Sequence, residues 1–390
     1  MPVSEPHLSY LDHLACSDCG ETVAPDALRT VCPRCGDPLL ARYDLAAARS
    51  ALDRDRLAAR GDGLWNWREL LPVRDSGYIV YLGEGATPLL PARRLGAALG
   101  LRQLWVKDEG LNPTGTFKAR GMAAAVSRAL ELGAREFVVP TAGNAGGAAA
   151  AYGARGGAKV HVYMPHDAPA ANRDEAEAAG AEVTLVDGLI NDAGALAQRH
   201  AQERGWFNLA TTREPYRVEG KKTMGYEIAQ QLGWRTPDVI VYPTGGGTGL
   251  IGIWKALEEM AELGWIDDRR PRLIAAQADG CAPVHRAFQA GVDRCELWAS
   301  AHTDAAGLRV PKPFADKLIL DAIRRSGGRS ITIGDDAMRL AREQIGRLEG
   351  VSACLEGAAT IAALSVLRQA GAIGPDDRIV CLNTGNRLKQ

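Results

Sequence analysis

The stretch EFVVPTAGNAGGAAAAYGARGGAKVHVYM, residues 136–164, joins two short apolar runs through a glycine-rich turn and an alanine-rich segment. The runs at 136–140 and 159–164 have the length and composition of strands, and the segment between them is long enough for a helix. A strand, a helix and a second strand in this order form a βαβ unit with parallel strands. The stretch therefore predicts an α/β fold.

The same alternation continues toward the carboxyl end. Further apolar runs of strand length lie at residues 182–186, 239–242, 273–276 and 378–382. Several of the amphipathic segments between strands end on a glycine, which can cap a helix without steric cost; these are Gly133, Gly180, Gly205 and Gly233. In an open parallel sheet, ligands bind beyond the carboxyl ends of the strands, so we expect functional residues in the loops that follow these runs.

Composition excludes several classes of partner. The chain has 390 residues, 46% of them hydrophobic and 24% charged, which is enough for more than one domain. Its formal charge of -1 provides no field that would draw it to nucleic acid or to an anionic membrane. No segment approaches the roughly 18 consecutive apolar residues of a membrane span, and no basic stretch precedes an apolar run at the amino terminus. We therefore expect a cytoplasmic protein that acts on small molecules.

Half of the eight cysteines form two CxxC pairs near the amino terminus. The four residues are Cys16, Cys19, Cys32 and Cys35, and a glycine follows each pair. Four thiolates at this spacing suit a tetrahedral zinc ion, with redox-active or metal-free thiols as the alternatives. We therefore predict a zinc ribbon as a separate module at residues 1–45, without the dense basic face of a nucleic-acid binder. A helical connector at 46–76 is expected to pack on the main body.

The loop NPTGTFKARGM, residues 112–122, leads from a Pro-Thr-Gly turn directly into a helix. Lys118 lies in the first turn of that helix, where the helix dipole disfavours an ammonium group and favours the neutral amine. A neutral amine is what an aldehyde cofactor needs in order to react with a lysine. By residue type alone, Lys118 would be an ordinary surface lysine.

A second loop, Thr141, Ala142, Gly143, Asn144 and Ala145, follows the first predicted strand. Small residues at the start of a helix let backbone N–H groups approach an anion, so this loop is a candidate for binding a substrate carboxylate. The amide of Asn144 suits the phenolic oxygen of a pyridoxal ring. The alternative is that the small residues serve only close packing of helix on sheet.

The third loop, PTGGGTGLIG at residues 243–252, also follows a predicted strand. Its candidate phosphate-binding residues are Gly245, Gly246, Gly247, Thr248 and Gly249, which offer backbone donors and a hydroxyl to a phosphate monoester. The loop lacks the Gly-Lys-Ser/Thr ending of a nucleotide P-loop. After the last predicted strand, Thr384 offers a hydroxyl to a pyridine nitrogen. Together, the loops offer a binding partner for the aldehyde, for the ring oxygen and for the phosphate of pyridoxal 5'-phosphate.

Six stretches carry a resemblance to a known family. They are GEGATPLL (83–90), KDEGLNPTGTFKARG (107–121), AGNAGGAAAAYGAR (142–155), PYRVEGKKT (215–223), PTGGGTG (243–249) and LNTGNRLK (382–389). In order and spacing, over nearly the whole chain, they resemble threonine synthase and its relatives among the fold-type II pyridoxal enzymes. Similar ribbons precede the catalytic body in some members of that family.

The resemblance implies a fold and a set of roles. It implies two doubly wound parallel-sheet domains: a large one at 77–114 and 214–390, and a small mobile one at 115–213. It makes Lys118 the Schiff-base lysine, Asn144 the partner of the ring oxygen, the 245–249 loop the phosphate cup and Thr384 the partner of the pyridine nitrogen. It also implies a homodimer.

For this family the implied reaction converts O-phospho-L-homoserine and water to L-threonine and phosphate. Arg217 is the expected ligand of the substrate phosphate, because a guanidinium can bind it bidentately, and Lys222 is a weaker candidate. The residues assigned to the substrate as a whole are Thr87, Thr141, Ala142, Gly143, Asn144, Ala145, Arg217 and Lys222.

Four positions depart from the family pattern and bear on the substrate. Ala119 stands where Asp is frequent, Ala145 where the loop usually has a hydroxyl, and Ala86 and Glu214 where Asn is common. A serine or threonine dehydratase, or a β-replacement enzyme of the same fold, would use the same lysine and cofactor without a second phosphate site. Outside the enzymes, the alternative is a zinc-ribbon interaction protein with an inactive body.

Overall fold

Three β-sheets organise the chain, and they fall into two compact units. The computed structural model describes residues 8–389. Unit 1 contains the described residues up to Ala86, together with Lys118–Thr223 and Glu262–Trp265. Unit 2 contains Thr87–Phe117, Met224–Ala261 and the described residues from Ile266 onward. Residues 1–7 and 390, at the ends of the predicted ribbon and of the predicted large domain, lie outside the described residues.

The elements follow one another in a largely alternating order. The strands are β1 (Leu11–Cys16), β2 (Thr22–Val23), β3 (Leu39–Tyr43), β4 (Leu89–Pro91), β5 (Gln103–Asp108), β6 (Glu136–Pro140), β7 (Lys159–Pro165), β8 (Glu182–Val186), β9 (Phe207–Asn208), β10 (Val239–Pro243), β11 (Arg272–Ala278), β12 (Arg329–Ile333) and β13 (Arg378–Asn383). The α-helices are α1 (Leu45–Ala51), α2 (Arg54–Ala58), α3 (Arg93–Leu99), α4 (Lys118–Glu131), α5 (Ala145–Arg155), α6 (Ala170–Ala178), α7 (Ile190–Arg204), α8 (Arg217–Gln231), α9 (Thr248–Glu262), α10 (Pro283–Gln289), α11 (Asp316–Arg325), α12 (Asp335–Glu349) and α13 (Leu355–Gln369).

Unit 2 is built on a six-stranded sheet in the order β12-β11-β10-β13-β5-β4. All its neighbouring strands run parallel except β4, which pairs antiparallel with β5 at the edge. From β10 the chain moves outward to β11 and β12 and then returns to β13 on the other side of β10. The strand order therefore reverses between β10 and β13, and such a reversal opens a crevice at the carboxyl ends of the strands.

Unit 1 contains a four-stranded parallel sheet in the order β8-β7-β6-β9. From β6 the chain moves outward to β7 and β8, and it returns to β9 on the other side of β6. A second reversal therefore lies between β6 and β9. Helix α4 precedes this sheet and α8 follows it, and the two helices touch where Gly220 lies against α4.

The contact between α4 and α8 depends on that glycine. A Cβ atom on Gly220 would lie 1.8 Å from the carbonyl oxygen of Arg120, so only glycine allows the two helices to approach this closely. Arg120 also donates a hydrogen bond from Nη1 to Oγ1 of Thr223, at 2.9 Å. Because Lys118 and Arg217 are the first residues of α4 and α8, this contact fixes the starts of both helices relative to each other.

The cysteine-rich segment forms a three-stranded antiparallel sheet in the order β2-β1-β3, also in unit 1. Its buried Leu14 and Leu39 belong to the same hydrophobic cluster as Val126 of α4. The buried guanidinium of Arg128, also on α4, donates a hydrogen bond to the carbonyl oxygen of Pro25 at 2.8 Å. The ribbon therefore differs from the predicted separate module: it packs on α4, because so short a segment cannot bury a core of its own.

The α/β class with parallel sheets is confirmed, and each of the six predicted strands is present. Four strands outside the ribbon were not predicted: β4, β5, β9 and β12. The unit boundaries also differ from the predicted ones, since residues 77–86, 214–223 and 262–265 belong to unit 1 and residues 115–117 to unit 2. Trp65 and Trp67 of the connector are buried in unit 1. Between residues 8 and 389, no helix is both long and apolar enough to cross a membrane.

Candidate active site

Lys118 is the first residue of α4, as the motif predicts, and its side chain is half-buried. The preceding residue, Phe117, is anchored in unit 2: its backbone N–H donates to the carbonyl oxygen of Thr384 at 3.1 Å. The Phe117 ring also packs edge-on against Tyr242, the fourth residue of β10, with ring centroids 6.3 Å apart. The backbone leading into the lysine is therefore held by β10 and by the segment that follows β13.

The glycine-rich loop follows β10 and leads into α9, which begins at Thr248. Gly247 has a φ of 69°, a left-handed conformation that favours glycine. The hydroxyl Oγ1 of Thr248 is buried and has no hydrogen-bond partner among the described residues. A buried hydroxyl without a partner costs free energy, and a phosphate at the start of α9 would provide an acceptor for it. The loop therefore fits a terminal phosphate.

Thr384 follows β13, the neighbour of β10 at the point where the strand order reverses. Its side chain is buried, and its Oγ1 lies 3.7 Å from Sγ of Cys354. Burial raises the pKa of the Cys354 thiol, so the sulfur is uncharged at neutral pH. Thr384 and the glycine-rich loop thus stand at the carboxyl ends of two adjacent strands, where the fold places ligands.

In unit 1, the loop after β6 uses the Thr141 side chain to close its own turn. Oγ1 of Thr141 donates to the carbonyl oxygen of Gly143 at 2.9 Å and accepts from the Gly143 N–H at 3.0 Å. Oδ1 of Asn144, the residue before α5, is buried and has no partner among the described residues. Ala142 and Gly143 are half-buried, and Ala145 is buried. Asn144 is therefore the polar side chain of this loop that fits a ligand.

Arg217 begins α8 and is 1% exposed. Its Nη1 donates to the carbonyl oxygen of Leu209 at 2.6 Å and to Oγ1 of Thr211 at 3.3 Å. Its Nε and Nη2 are buried and have no partner within residues 8–389. Leu209 directly follows β9 and donates its N–H to the carbonyl oxygen of Val138 in β6 at 2.8 Å. The guanidinium is therefore held where the strand order reverses between β6 and β9, and two of its donor nitrogens have no partner among the described residues.

Glu214 is the carboxylate that accompanies Arg217. It accepts hydrogen bonds from the backbone N–H groups of Tyr216 (2.7 Å) and Arg217 (3.1 Å). Burial raises the pKa of Glu214 to about 7, although the positive charge of Arg217 opposes the rise. At neutral pH the Glu214 carboxylate is thus only partly ionised, and it neutralises the buried guanidinium incompletely.

Two of the predicted substrate residues are engaged in internal contacts. Nζ of Lys222 lies 2.7 Å from Oε2 of Glu219, and it also lies 3.9 Å above the ring of Tyr43 in the ribbon. The hydroxyl of Thr87 donates to Oε1 of Glu109 at 2.6 Å. These contacts occupy the groups with which Lys222 and Thr87 were expected to bind substrate.

Lys221 is a residue of this site that the sequence-based reasoning missed. It is 1% exposed, and its pKa lies well below the usual value because of burial and of the positive charges of Arg217 and Lys118. Its spacing of four residues from Arg217 on a helix was the available signal, because residues four apart share a helix face.

Glu84 in the GEGATPLL stretch was also missed. Its fully buried carboxylate accepts hydrogen bonds from Nε1 of Trp65 at 2.8 Å and from the hydroxyl of Tyr152 at 2.6 Å. Burial raises its pKa. These bonds join the connector to α5, so Glu84 acts as a structural carboxylate in unit 1.

The four cysteines of the ribbon come together as predicted. The sulfur atoms of Cys16, Cys19, Cys32 and Cys35 lie within 4.8 Å of one another. Two of the Sγ–Sγ distances, Cys16 to Cys35 and Cys19 to Cys32, are 3.4 and 3.7 Å. Zinc–sulfur bonds of about 2.3 Å in a tetrahedron place the sulfurs about 3.8 Å apart, so the four thiols fit a zinc ion.

Comparison with known proteins identifies the family of the chain. A family model described as pyridoxal-phosphate dependent enzyme matches residues 80–385. The threonine synthase of Methanocaldococcus jannaschii is 36% identical over 375 residues, which cover 96% of this chain and 92% of that protein. The threonine synthase of Mycobacterium tuberculosis is 35% identical over 324 residues, covering 83% of this chain and 87% of that protein.

Solved structures show the same fold. Maize serine racemase superposes with a TM-score of 0.68 at 23% identity, covering 77% of this chain and 88% of that one. The L-serine ammonia-lyase of the fungus Rhizomucor miehei has a TM-score of 0.66 at 20% identity, covering 77% of this chain and 93% of that one. Because the matching family model and the curated relatives are enzymes, an interaction protein with an inactive body is disfavoured. The chain belongs to the family of pyridoxal-phosphate-dependent enzymes that includes the threonine synthases.

Proposed function

We propose that this enzyme is a threonine synthase, which converts O-phospho-L-homoserine and water to L-threonine and phosphate. The observation that carries the proposal is the buried guanidinium of Arg217, whose Nε and Nη2 have no acceptor among the described residues. Unpaired buried donors cost free energy, and a phosphate monoester offers the two oxygens that a guanidinium binds side by side. Curated relatives at about 35% identity are named threonine synthases, which supports the same reaction.

Pyridoxal phosphate, when bound, supplies an electron sink for charge that develops at Cα of the amino acid. We assign its aldehyde to Lys118, its phosphate to the loop Gly245, Gly246, Gly247, Thr248 and Gly249, its phenolic oxygen to Asn144 and its ring nitrogen to Thr384. Thr248 and Asn144 carry buried atoms without partners among the described residues, which supports both assignments. Thr384 offers a neutral hydroxyl, which would hydrogen-bond the ring nitrogen without protonating it fully, unlike a carboxylate partner.

The proton transfers are assigned to Lys118. With its amine free, Lys118 would remove the proton from Cα of the substrate and then one from Cβ. The γ-phosphate then leaves, water adds at Cβ, and protons return to Cγ and to Cα, which gives the methyl group and the Cα–H of L-threonine. Arg217 holds the phosphate through this sequence, and the loop from Thr141 to Ala145 binds the substrate carboxylate.

A serine or threonine dehydratase is the second candidate. Ala145 provides no hydroxyl to a phosphate, and Thr87 and Lys222 make internal contacts. Few of the predicted residues besides Arg217 are therefore available to bind the substrate phosphate. Under this alternative, the fold, cofactor and lysine would be the same, and Arg217 would serve only structure. A β-replacement enzyme would share these features.

One assay separates the candidates. Purified enzyme is incubated with O-phosphohomoserine, L-serine and L-threonine in parallel, and release of phosphate and of ammonia is followed. A threonine synthase releases phosphate from O-phosphohomoserine and forms threonine. Ammonia from serine or threonine, with no phosphate from O-phosphohomoserine, would assign the chain to the dehydratases.

Three further assignments accompany the proposed function. The ribbon binds one structural zinc ion through its four cysteines, which supports the packing of the ribbon on α4. The enzyme works in the cytoplasm on a small amino-acid substrate, without nucleic acid or membrane as partner. It is a homodimer, as the resemblance implies, and size-exclusion chromatography with light scattering measures the mass that tests this.

A further inference from the structure

A cavity of about 700 Å³ lies in unit 2, at the edge of the six-stranded sheet where its parallel strands begin. Arg272 is the first residue of β11 and Arg378 the first residue of β13, and both line the cavity. Asp238, directly before β10, joins them: its N–H donates to the Arg378 carbonyl oxygen at 2.8 Å, and its carbonyl oxygen accepts from the Arg272 N–H at 3.0 Å. A volume of this size is typical of a small-molecule site.

This cavity and the candidate active site lie at opposite edges of the same sheet. The glycine-rich loop follows the carboxyl end of β10, and Thr384 follows the carboxyl end of β13. The cavity residues precede these strands or begin them. A ligand in the cavity would therefore not touch the residues assigned to the cofactor.

The cavity lining carries an excess of two positive charges, because five of its residues are arginines and three are aspartates. Three of the arginines have a carboxylate partner. The pairs are Arg272 Nη2 with Asp377 Oδ2 at 2.7 Å, Arg269 Nε with Asp267 Oδ2 at 3.4 Å and Arg378 Nε with Asp238 Oδ2 at 3.7 Å. The excess charge therefore belongs to the two remaining arginines, Arg235 and Arg270.

Arg270 is half-buried and bonds only to backbone. Its Nη1 donates to the carbonyl oxygens of Asp267 at 2.8 Å and Arg269 at 3.3 Å, and no carboxylate within residues 8–389 pairs with it. These bonds fix the position of the guanidinium and leave its charge uncompensated.

Arg235 is exposed and follows α8 by four residues. An arginine near the end of a helix often bonds to the last carbonyl oxygens of that helix. In the described part of the chain, Arg235 makes neither such a bond nor an ion pair. A single surface arginine without a partner is ordinary. Here, however, two uncompensated guanidinium groups line one cavity whose other charges are paired.

We propose that this cavity binds a small phosphate monoester, with Arg235 and Arg270 as its cationic ligands. A phosphate monoester carries close to two negative charges at neutral pH, which matches the excess of the lining. The guanidinium group is planar and can bind two phosphate oxygens side by side, which favours arginine over lysine at such a site. The inference is independent of the proposed function, because it involves none of the residues assigned to that reaction.

Protection of the two arginines from chemical modification tests the inference at the cavity itself. Holoenzyme is treated with the arginine reagent phenylglyoxal at increasing glycerol 3-phosphate and constant ionic strength, and mass spectrometry measures modification at each arginine. We expect glycerol 3-phosphate to protect Arg235 and Arg270 with the same saturating concentration dependence. In Arg270→Ser, the concentration that half-protects Arg235 should rise about threefold to tenfold, the effect of losing one partly exposed charged contact. Arg235→Ser should raise the half-protecting concentration for Arg270 likewise.

Arg102→Ser is the matched control. Arg102 lies at the same edge of the sheet and forms an exposed ion pair with Asp376 at 2.5 Å, but it does not line the cavity. Its loss removes the same charge nearby, and the half-protecting concentration for Arg235 should change less than about twofold, because solvent and salt screen exposed charges. Thermal unfolding shows that each variant is folded, and the two cavity variants report on each other.

Absence of protection at Arg235 in the unchanged enzyme would overturn the inference, and so would equal protection of Arg102 and Arg235. Unchanged protection in both cavity variants would also contradict it. Succinate, a dicarboxylate, should protect much less well; equal protection by succinate would refute the assignment to phosphate. The proposed function is tested separately, since phosphate release from O-phosphohomoserine should be the same in Arg235→Ser and in the unchanged enzyme.

Discussion

Replacing Arg217 by alanine should reduce turnover of O-phosphohomoserine far more than any elimination from serine. The guanidinium has two buried donor nitrogens, Nε and Nη2, without partners among the described residues. Each hydrogen bond to a charged group contributes about 1.5 to 3 kcal/mol. Two such bonds amount to about 3 to 6 kcal/mol, which corresponds to a loss of roughly 10² to 10⁴ in kcat/KM. Serine has no phosphate, so its reaction should lose much less.

The substitution also has a structural cost, which a matched variant measures. Nη1 of Arg217 donates a hydrogen bond to the Leu209 carbonyl oxygen at 2.6 Å, and the positive charge of the guanidinium acts on the buried carboxylate of Glu214. Arg217→Lys keeps a positive charge at this position but loses the planar fork. We expect it to fold better than Arg217→Ala and to lose roughly tenfold in kcat/KM for O-phosphohomoserine, because one bond of the bidentate pair is lost.

The assay follows phosphate release from O-phosphohomoserine and ammonia release from serine on the same preparations. Cofactor content is matched by the visible absorption of the lysine-bound cofactor, so that a damaged cofactor site is not mistaken for a lost phosphate contact. Equal losses of both activities in Arg217→Ala would show that Arg217 serves only the structure of unit 1. The reasoning from its unpaired nitrogens would then be refuted.

Three other perturbations test the remaining assignments. Lys118→Ala should abolish turnover while circular dichroism and weak cofactor binding persist; appreciable activity without added amine would contradict the assignment of the catalytic lysine. Metal analysis of protein purified without chelator should find one zinc per chain, and a content well below one would contradict the zinc ribbon. Glu214 has a pKa of about 7 against 4.5 in an unfolded chain, so its contribution to the unfolding free energy should fall by about 3 kcal/mol as pH rises from about 4.5 to 7. The melting temperature of Glu214→Gln should therefore rise relative to that of the unchanged enzyme over this range, and a constant difference would contradict the buried carboxylate.

Most of the strands that the sequence revealed are buried on both faces; β8, at the edge of its sheet, is the exception. In β6 and β10 the apolar runs are continuous, as expected for the middle of a parallel sheet covered by helices. β9 is two residues long and β4 three, too short for any periodicity to register. In β5 the sequence ends in Lys107 and Asp108, which read as a loop. Lys107 is fully buried because its Nζ lies 2.6 Å from Oε2 of Glu227, a partner 120 residues away that no local pattern reveals.

The site residues also differ in how far a local sequence motif identifies them. Lys118 was identified because its loop, its helix start and its neighbours in sequence all belong to one motif. Lys221 and Lys222 are adjacent and have the same charge, and in the sequence only their spacing from Arg217, four residues against five, distinguishes them. They differ because successive residues on a helix point about 100° apart. That rotation directs one lysine toward Arg217 and Lys118 and the other toward Glu219.

The departures from the family pattern concern the hydroxyl groups that could bind a phosphate. Ala145 removes a hydroxyl from the loop after β6, the Thr141 hydroxyl closes its own turn, and the Thr87 hydroxyl donates to Glu109. Neutral hydroxyls therefore contribute little to a phosphate in this chain. A buried cation contributes more than a neutral donor, because its attraction is stronger in a low dielectric and acts over a longer distance. The buried guanidinium of Arg217 would then supply most of the attraction to a phosphate-bearing substrate, despite the alanines.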